Sequence, residues 1–327
     1  MAIKFIVTGG AGFIGSNLVA ALNARGETGI LVVDHLGQSE KWRNLAGLAF
    51  EDYLDKHAFR RLLREGRTPW AADTATVFHL GACSDTTEKD ADYLADNNYR
   101  YTRELCEWCL AAGKRFIYAS SAATYGDGAL GYSDADALTP RLNPLNMYGY
   151  SKQMFDLWAL RHRLFDRIAG LKFFNVYGFG EAHKGEMRSV VHKAFGQIRA
   201  TGQMRLFRSY RPDFRDGEQR RDFIYVRDAV AATMFFHDHP EVGGLYNCGT
   251  GKARTWNDLA RAEFAAMKIT CRIEYIDMPE ILRDKYQYHT QADMAKLRAA
   301  GYHESFTELE DGVGDYVRQL AGASRPE

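Results

Sequence analysis

Tyr148 and Lys152 lie four residues apart in Tyr148-Gly-Tyr-Ser-Lys152, the spacing that puts two side chains on one face of a helix. An ammonium beside a phenol favours the phenolate, lowering a pKa that is about 10 when unperturbed. A tyrosine so placed can act as general acid or base near neutral pH. Spacing alone proves little, because 18 tyrosines make a chance Y-x-x-x-K ordinary. Position adds the weight. The pair follows the apolar run Phe116–Ser120, and the Ser121 hydroxyl just beyond it can hold a substrate oxygen.

A second constellation opens the chain. Gly10-Ala-Gly12-Phe13-Ile14-Gly15 matches G-x-G-x-x-G, and Gly9 adds an overlapping G-x-x-G-x-x-G. Thirty glycines make such a match weak in isolation. Here it sits between a strand-like and a helix-like segment, the setting in which glycines let the backbone approach a pyrophosphate at a helix N-terminus. Asp34 ends the next strand-like run, where a carboxylate can bind the adenosine ribose. Asp34 alone favours NAD over NADP, because it repels a 2′-phosphate. Lys41 and Lys56 can offset that repulsion, so charge leaves the choice close to even.

These groups need a scaffold. Lys4–Thr8, Ile30–Asp34, Thr76–Leu80 and Phe116–Ser120 read as buried parallel strands, with helices over 13–25, 55–65 and 93–112 between them. Gly26 and Gly113 follow two of the helices as stops. Alternation of this kind predicts an α/β fold, a Rossmann-like doubly wound parallel sheet. Leu171–Val176 is a further strand candidate. Beyond it lie a strand-like Phe223–Val226 and helices near 256–267 and 306–320. The expected organisation is a dinucleotide-binding domain over 1–174 with returning segments at about 223–253 and 290–306. A smaller, discontinuous mixed α/β substrate domain takes about 175–222, 254–289 and 307–327.

Composition excludes several classes. Lys plus Arg and Asp plus Glu number 42 each, so net charge is zero and bulk attraction to nucleic acid is not expected. The apolar runs fall far short of the ~20 residues that span a bilayer, and the glycines after Lys4 interrupt any signal-peptide core. Five cysteines form an odd, sparse set, which points to a reducing compartment, the cytoplasm. Cys106-x-x-Cys109 has no second pair at metal-site spacing and reads as two helix cysteines, so no metal is expected.

Taken together, Thr8–Gly15 (T-G-G-A-G-F-I-G), Ser120–Gly126 (S-S-A-A-T-Y-G) and Tyr148–Lys152 resemble the extended short-chain dehydrogenase/reductase family of nucleotide-sugar enzymes, the NAD-dependent epimerases and dehydratases. Ala82-Cys-Ser-Asp-Thr-Thr-Glu88, Asp96-Asn-Asn-Tyr99, Phe174-Asn-Val-Tyr-Gly178 and His183-Lys-Gly185 are similar to the branch that inverts C6 of an ADP-linked heptose, a step in lipopolysaccharide core synthesis. The resemblance implies an isomerase that oxidises C6 transiently on tightly held NADP and returns the hydride to the other face. It implies Tyr148 as acid/base, Lys152 as its pKa-lowering partner, Ser121 as oxygen holder and Lys184 as a second acid/base. From the residues alone, Lys184 is equally a loop charge near phosphate or solvent.

The same resemblance assigns cofactor contacts to Gly9, Gly12, Phe13, Ile14, Gly15, Asp34, His35, Lys41, Lys56, Leu80, Gly81, Ala82, Cys83, Ser84, Asn97, Lys152, Val176 and Lys184. It assigns ADP-sugar contacts to Ser121, Asn175, Glu186, Lys193, Phe207, Arg208, Ser209, Tyr210, Arg221 and Tyr286. It tips the cofactor toward NADP and implies a homo-oligomer, a homopentamer in this family. The sequence departs from the family pattern in places. Phe179-Gly180 replaces a frequent Pro-Arg, His35 stands where Asn is common, and Lys193 falls where His is frequent, with His192 adjacent. The alternatives are a UDP-hexose 4-epimerase or, in another class, a non-catalytic dinucleotide-binding regulator. The arginine-rich stretch 205–227 is expected to supply at least one clamp for a diphosphate, for which guanidinium geometry is suited.

Overall fold

In the computed structural model, residues 2–283 and 286–323 are described. Seven strands form one parallel sheet: β1 (Phe5–Thr8), β2 (Ile30–Asp34), β3 (Asp52–Asp55), β4 (Thr76–His79), β5 (Arg115–Ser121), β6 (Ile168–Phe173) and, returning late in the chain, β10 (Gly244–Cys248). Their order is β10-β6-β5-β4-β1-β2-β3, and every pairing is parallel. The order reverses beside β1, between β2 and β4. This is the crevice where open α/β sheets bind ligands. Buried aliphatic and aromatic side chains fill both faces, in clusters around Val7, Leu18 and Leu171 and around Ile6, Phe116 and Phe155. The α/β doubly wound expectation is met.

Three strands build a smaller mixed sheet: β7 (Asn175–Tyr177), β9 (Arg220–Tyr225) and β11 (Ala253–Thr255), with β9 parallel to β7 and antiparallel to β11. A parallel pair, β8 (Met204–Phe207) with β12 (Ile273–Ile276), lies beyond it. The strand expected over 171–176 is thus two strands. The chain leaves the large sheet after Phe173 and enters the small one at Asn175, which delivers Asn175 and Val176 to the cleft.

The helix expected over 93–112 is also interrupted. Ala91–Leu94 is α-helical, Ala95–Arg100 winds as a π-helix, and Tyr101–Ala111 resumes the α-helix. The widened turn carries Asn97 and Asn98, both buried, and such bulges recur at functional sites. Cys106 and Cys109 are buried in that last segment, as expected of helix cysteines. Gly26 and Gly113 follow their helices with positive φ of 81° and 66°, the left-handed turn glycine adopts without strain. Among the described residues, no helix is long and apolar enough to cross a membrane.

Candidate active site

The glycine loop joins β1 to the helix Phe13–Ala24. Two of its glycines meet backbone too closely for a side chain. A Cβ on Gly15 would sit 2.0 Å from the Gly9 carbonyl, and one on Gly9 would sit 2.7 Å from the Gly81 nitrogen. The helix starts at Gly12 with no side-chain cap and no acid in its first turn, leaving its first N–H groups for an anion. A dinucleotide pyrophosphate fits this opening. Asp34 is buried at the end of β2 and accepts from the Ala11 N–H at 2.8 Å, the His35 N–H at 2.7 Å and the Lys41 ammonium at 2.6 Å.

A cavity of about 650 Å³ runs from this loop across the strand ends. Gly9, Gly12, Phe13, Ile14, Gly15, Asp34, Lys41, Leu80, Gly81, Ala82, Cys83 and Ser84 line it together with Ser121, Tyr148, Lys152, Asn175, Val176 and Lys184. Residues spread over the chain from 9 to 184 therefore share one cleft. His35, Lys56 and Asn97 stand outside its lining, in the adjoining layer. Lys56 donates to Asn97 at 2.7 Å, and His35 contacts Asp55 at 3.1 Å.

Tyr148 and Lys152 come from the helix Met147–Arg161, whose Asn146 cap accepts from the Gly149 N–H at 2.8 Å. Gly149 is required there, since a Cβ would meet the Ala123 carbonyl at 2.7 Å. Ser121 hydrogen-bonds the Tyr148 phenol, which lowers its pKa, but burial dominates and holds the phenol above its ordinary value. The Lys152 ammonium donates to the Ala119 carbonyl at 2.8 Å, and burial depresses its own pKa to about 8.

One turn further along the same helix face, Asp156 anchors the helix to β5. Its oxygens accept from the Tyr118 and Ser120 hydroxyls, both at 2.7 Å, and its carboxylate lies 3.5 Å from the buried Lys172 ammonium. Asp156 opposes the loss of charge on Lys152. Sequence reasoning missed Asp156, although its spacing of four from Lys152 was a visible signal. It also missed the role of Asn98, whose side chain accepts from Cys83 N–H at 2.8 Å and donates to Cys83 O at 2.9 Å and Ser151 at 3.0 Å. Asn98 thus ties the cofactor loop to the Tyr148 helix.

Lys184 lines the same cleft, its ammonium 5.6 Å from the centre of the Phe13 ring. Burial lowers its pKa, and Glu181 opposes that shift. Neighbouring His183 also lines the cleft, and burial pushes its pKa down to about 4, so it is neutral at pH 7. Asn44 donates to the Ala11 and Gly180 carbonyls at 3.0 and 2.8 Å and contacts His183 at 3.2 Å, while Asn17 donates to the Phe179 carbonyl at 2.8 Å. Gly180, which stands where Pro-Arg is frequent in the family, has φ +100° and packs beside Asn17.

The expected sugar-nucleotide residues divide. Asn175 lines the main cleft, whereas Tyr210 and Tyr286 line a neighbouring cavity of about 780 Å³. Arg221 links the two. It is 7% exposed, with its guanidinium 5.6 Å from the Trp256 ring of the first and 5.1 Å from the Tyr286 ring of the second. Among the described residues it donates to the Arg220 carbonyl at 2.8 Å, whereas Arg205, Arg211 and Arg227 pair with Glu274, Asp213 and Asp315. Phe207 meets Tyr286 edge-on, Arg208 donates to the Tyr275 carbonyl, and the Ser209 N–H donates to Asp216. Glu186 and Lys193 pair with each other at the surface, and neither lines a described cavity. His192 faces Tyr316 at 2.7 Å and does not replace Lys193 in the cleft.

Residues 5–249 match the family model described as the NAD dependent epimerase/dehydratase family. The chain is 59% identical over 322 residues to an ADP-L-glycero-D-manno-heptose-6-epimerase of Nitratidesulfovibrio vulgaris (strain DP4), covering 98% of this chain and 99% of that one. A protein of the same name from Alkalilimnicola ehrlichii is 49% identical, covering 97% and 98%. The crystal structure of Helicobacter pylori ADP-L-glycero-D-manno-heptose-6-epimerase superposes with a TM-score of 0.80 at 26% identity, covering 97% of this chain and 96% of that one. With a glycine loop, a ribose-side Asp34 and a Ser121–Tyr148–Lys152 centre in one cleft, the chain belongs to the NAD dependent epimerase/dehydratase family.

Proposed function

We infer that this chain is an ADP-L-glycero-D-manno-heptose 6-epimerase, an isomerase that inverts C6 of the heptose and supplies the lipopolysaccharide core sugar. The observation that carries the reading is one cleft lined by Tyr148, Ser121 and a half-buried Lys184, in a chain 59% identical over nearly its full length to a relative of that name. A bound dinucleotide supplies the acceptor and donor of hydride. Tyr148 takes the C6 hydroxyl proton and returns it, held in place by the Ser121 hydrogen bond. Lys184 does the same for the opposite orientation of the sugar, where burial brings its ammonium nearer to releasing a proton. Arg221, a buried cation with no carboxylate partner among the described residues, suits the diphosphate.

NADP is the proposed dinucleotide. Lys41 cancels the charge of Asp34, and Lys56 adds a second cation in the adjoining layer, so a 2′-phosphate meets a positive rim. Mass spectrometry of the nucleotide released on denaturation tests this, and recovery of NAD alone overturns it. The parallel sheet is proposed as the cofactor domain. Segments near 175–222, 254–289 and 307–327 close over the sugar nucleotide, with 284, 285 and 324–327 outside the described residues. The assembly is proposed as a homo-oligomer in the cytoplasm, with a pentamer expected by light scattering.

The purified protein with its resident cofactor should interconvert ADP-D-glycero- and ADP-L-glycero-D-manno-heptose, followed by NMR of the sugar protons, without consuming added NADPH. Turnover of a UDP-hexose and not of the heptose would overturn the substrate while leaving the mechanism.

A further inference from the structure

Between Gly178 and Ser189 the chain leaves the small sheet, carries His183 and Lys184 into the cleft, and returns at the helix Val190–Thr201. Both ends of this excursion are held by one side chain. Glu181 Oε1 accepts from the Ser189 hydroxyl at 2.6 Å and the Gly178 N–H at 3.4 Å, and Oε2 accepts from the Ser189 N–H at 2.5 Å. The Lys184 N–H hangs on the same residue, donating to the Glu181 carbonyl at 2.9 Å.

Glu181 is 1% exposed, so its environment is fixed by protein. Tyr316, from the C-terminal helix Leu309–Ala323, hydrogen-bonds the same carboxylate and contacts His192 Nδ1 at 2.7 Å. With its proton given to Glu181, the Tyr316 oxygen accepts from the His192 Nδ1–H. Burial raises the Glu181 pKa, and the donors around it, with the Lys184 charge, work against that shift in favour of the carboxylate.

We propose that Glu181 is the positioning residue for Lys184, clipping its loop at both ends and holding the Lys184 backbone through its own carbonyl. The proposal rests on the reading of Lys184 as the second acid/base. The Glu181 charge also opposes the effect of burial on Lys184. The other titratable groups around the loop are His183, Glu186 and Arg188 on it, Lys193 paired with Glu186, Tyr148, Asp34 and Lys41 along the cleft, and Tyr316 and His192 behind Glu181.

The test is steady-state kinetics of Glu181→Gln across pH, with Lys184→Ala as reference. Gln keeps the reach and loses the charge. The expected result is a kcat at least tenfold lower at neutral pH, KM within twofold, and unchanged melting temperature and cofactor content. The limb of the pH profile that vanishes in Lys184→Ala should move to lower pH, because loss of the neighbouring charge lowers the ammonium pKa. If Glu181→Gln fails to fold, Tyr316→Phe removes one donor to the carboxylate and should displace the same limb. A Lys184→Ala of reduced turnover that lacks the limb, beside a foldable Glu181 or Tyr316 variant in which the limb is unmoved, would overturn the positioning role alone. Full turnover in Lys184→Ala would overturn the reading of Lys184, and this proposal with it.

Discussion

Tyr148 is held above its ordinary pKa by burial, with Ser121 as the counterweight and Lys152 turned toward the Ala119 carbonyl. In the protein without dinucleotide the phenol is therefore protonated at neutral pH and ready to donate. Tyr148→Phe should lower turnover by about 10²- to 10⁴-fold, the usual contribution of a positioned acid/base. The resident dinucleotide should stay bound, because the glycine loop and Asp34 do not depend on the phenol. Absorbance of released cofactor and NMR of the sugar check both halves, and turnover at the parental rate would remove Tyr148 from the chemistry. At this scale the sequence was informative where a motif is local. The glycines, Asp34, Tyr148 and Lys152 all fall in the cleft. Lys193 and Glu186 do not, since a match by position alone carries no information about which way a side chain faces. Glu181 left no signal at all, because its role depends on Ser189 and Tyr316 meeting it in space.

Among the elements, the helices Trp256–Met267 and Leu309–Ala323 pack together with a cost inside. Glu263 is fully buried, and neither carboxyl oxygen has a hydrogen-bond partner. Burial raises its pKa to about 9, against about 4.3 for an unfolded chain. The native state keeps a proton that the unfolded state releases between those values, so stability falls as pH rises across that window. At pH 7 the difference is about 4 kcal/mol. Glu263→Gln should shrink the gap in melting temperature between pH 5 and pH 8.5, read by thermal denaturation, and an unchanged gap would show that Glu263 does not titrate this way. The strands with apolar runs, such as β2 and β4, were legible from sequence. The polar edge strand β3 (Asp52–Asp55) and the late β10 were not, since the one lacks an apolar signature and the other sits in an irregular stretch. The break between β6 and β7 was hidden for a related reason: Leu171–Val176 is apolar throughout most of its length, yet its two halves serve different sheets.

For the molecule as a whole, the zero net charge conceals a local imbalance, because 205–227 holds seven arginines against four acids. Three of those arginines are paired with carboxylates, and Arg221 is left between two aromatic walls. The late return of β10 to the large sheet makes cofactor and sugar-nucleotide segments one interleaved body. Asn17 and Asn44 stitch the segment around Phe179–His183 to the glycine loop and its helix. Asn44→Ala removes two carbonyl contacts at once and should speed exchange of the resident dinucleotide by about tenfold per 1.4 kcal/mol lost. Loss of protein-bound radiolabel into excess unlabelled cofactor measures it, and an exchange rate equal to the parent would show that the seam does not retain the ligand. A reaction that hands its hydride back needs no second nucleotide to arrive or depart. On the proposed function, a seam that keeps the dinucleotide in place from one turnover to the next would let catalysis proceed without regard to the oxidised-to-reduced ratio of the surrounding cofactor pool.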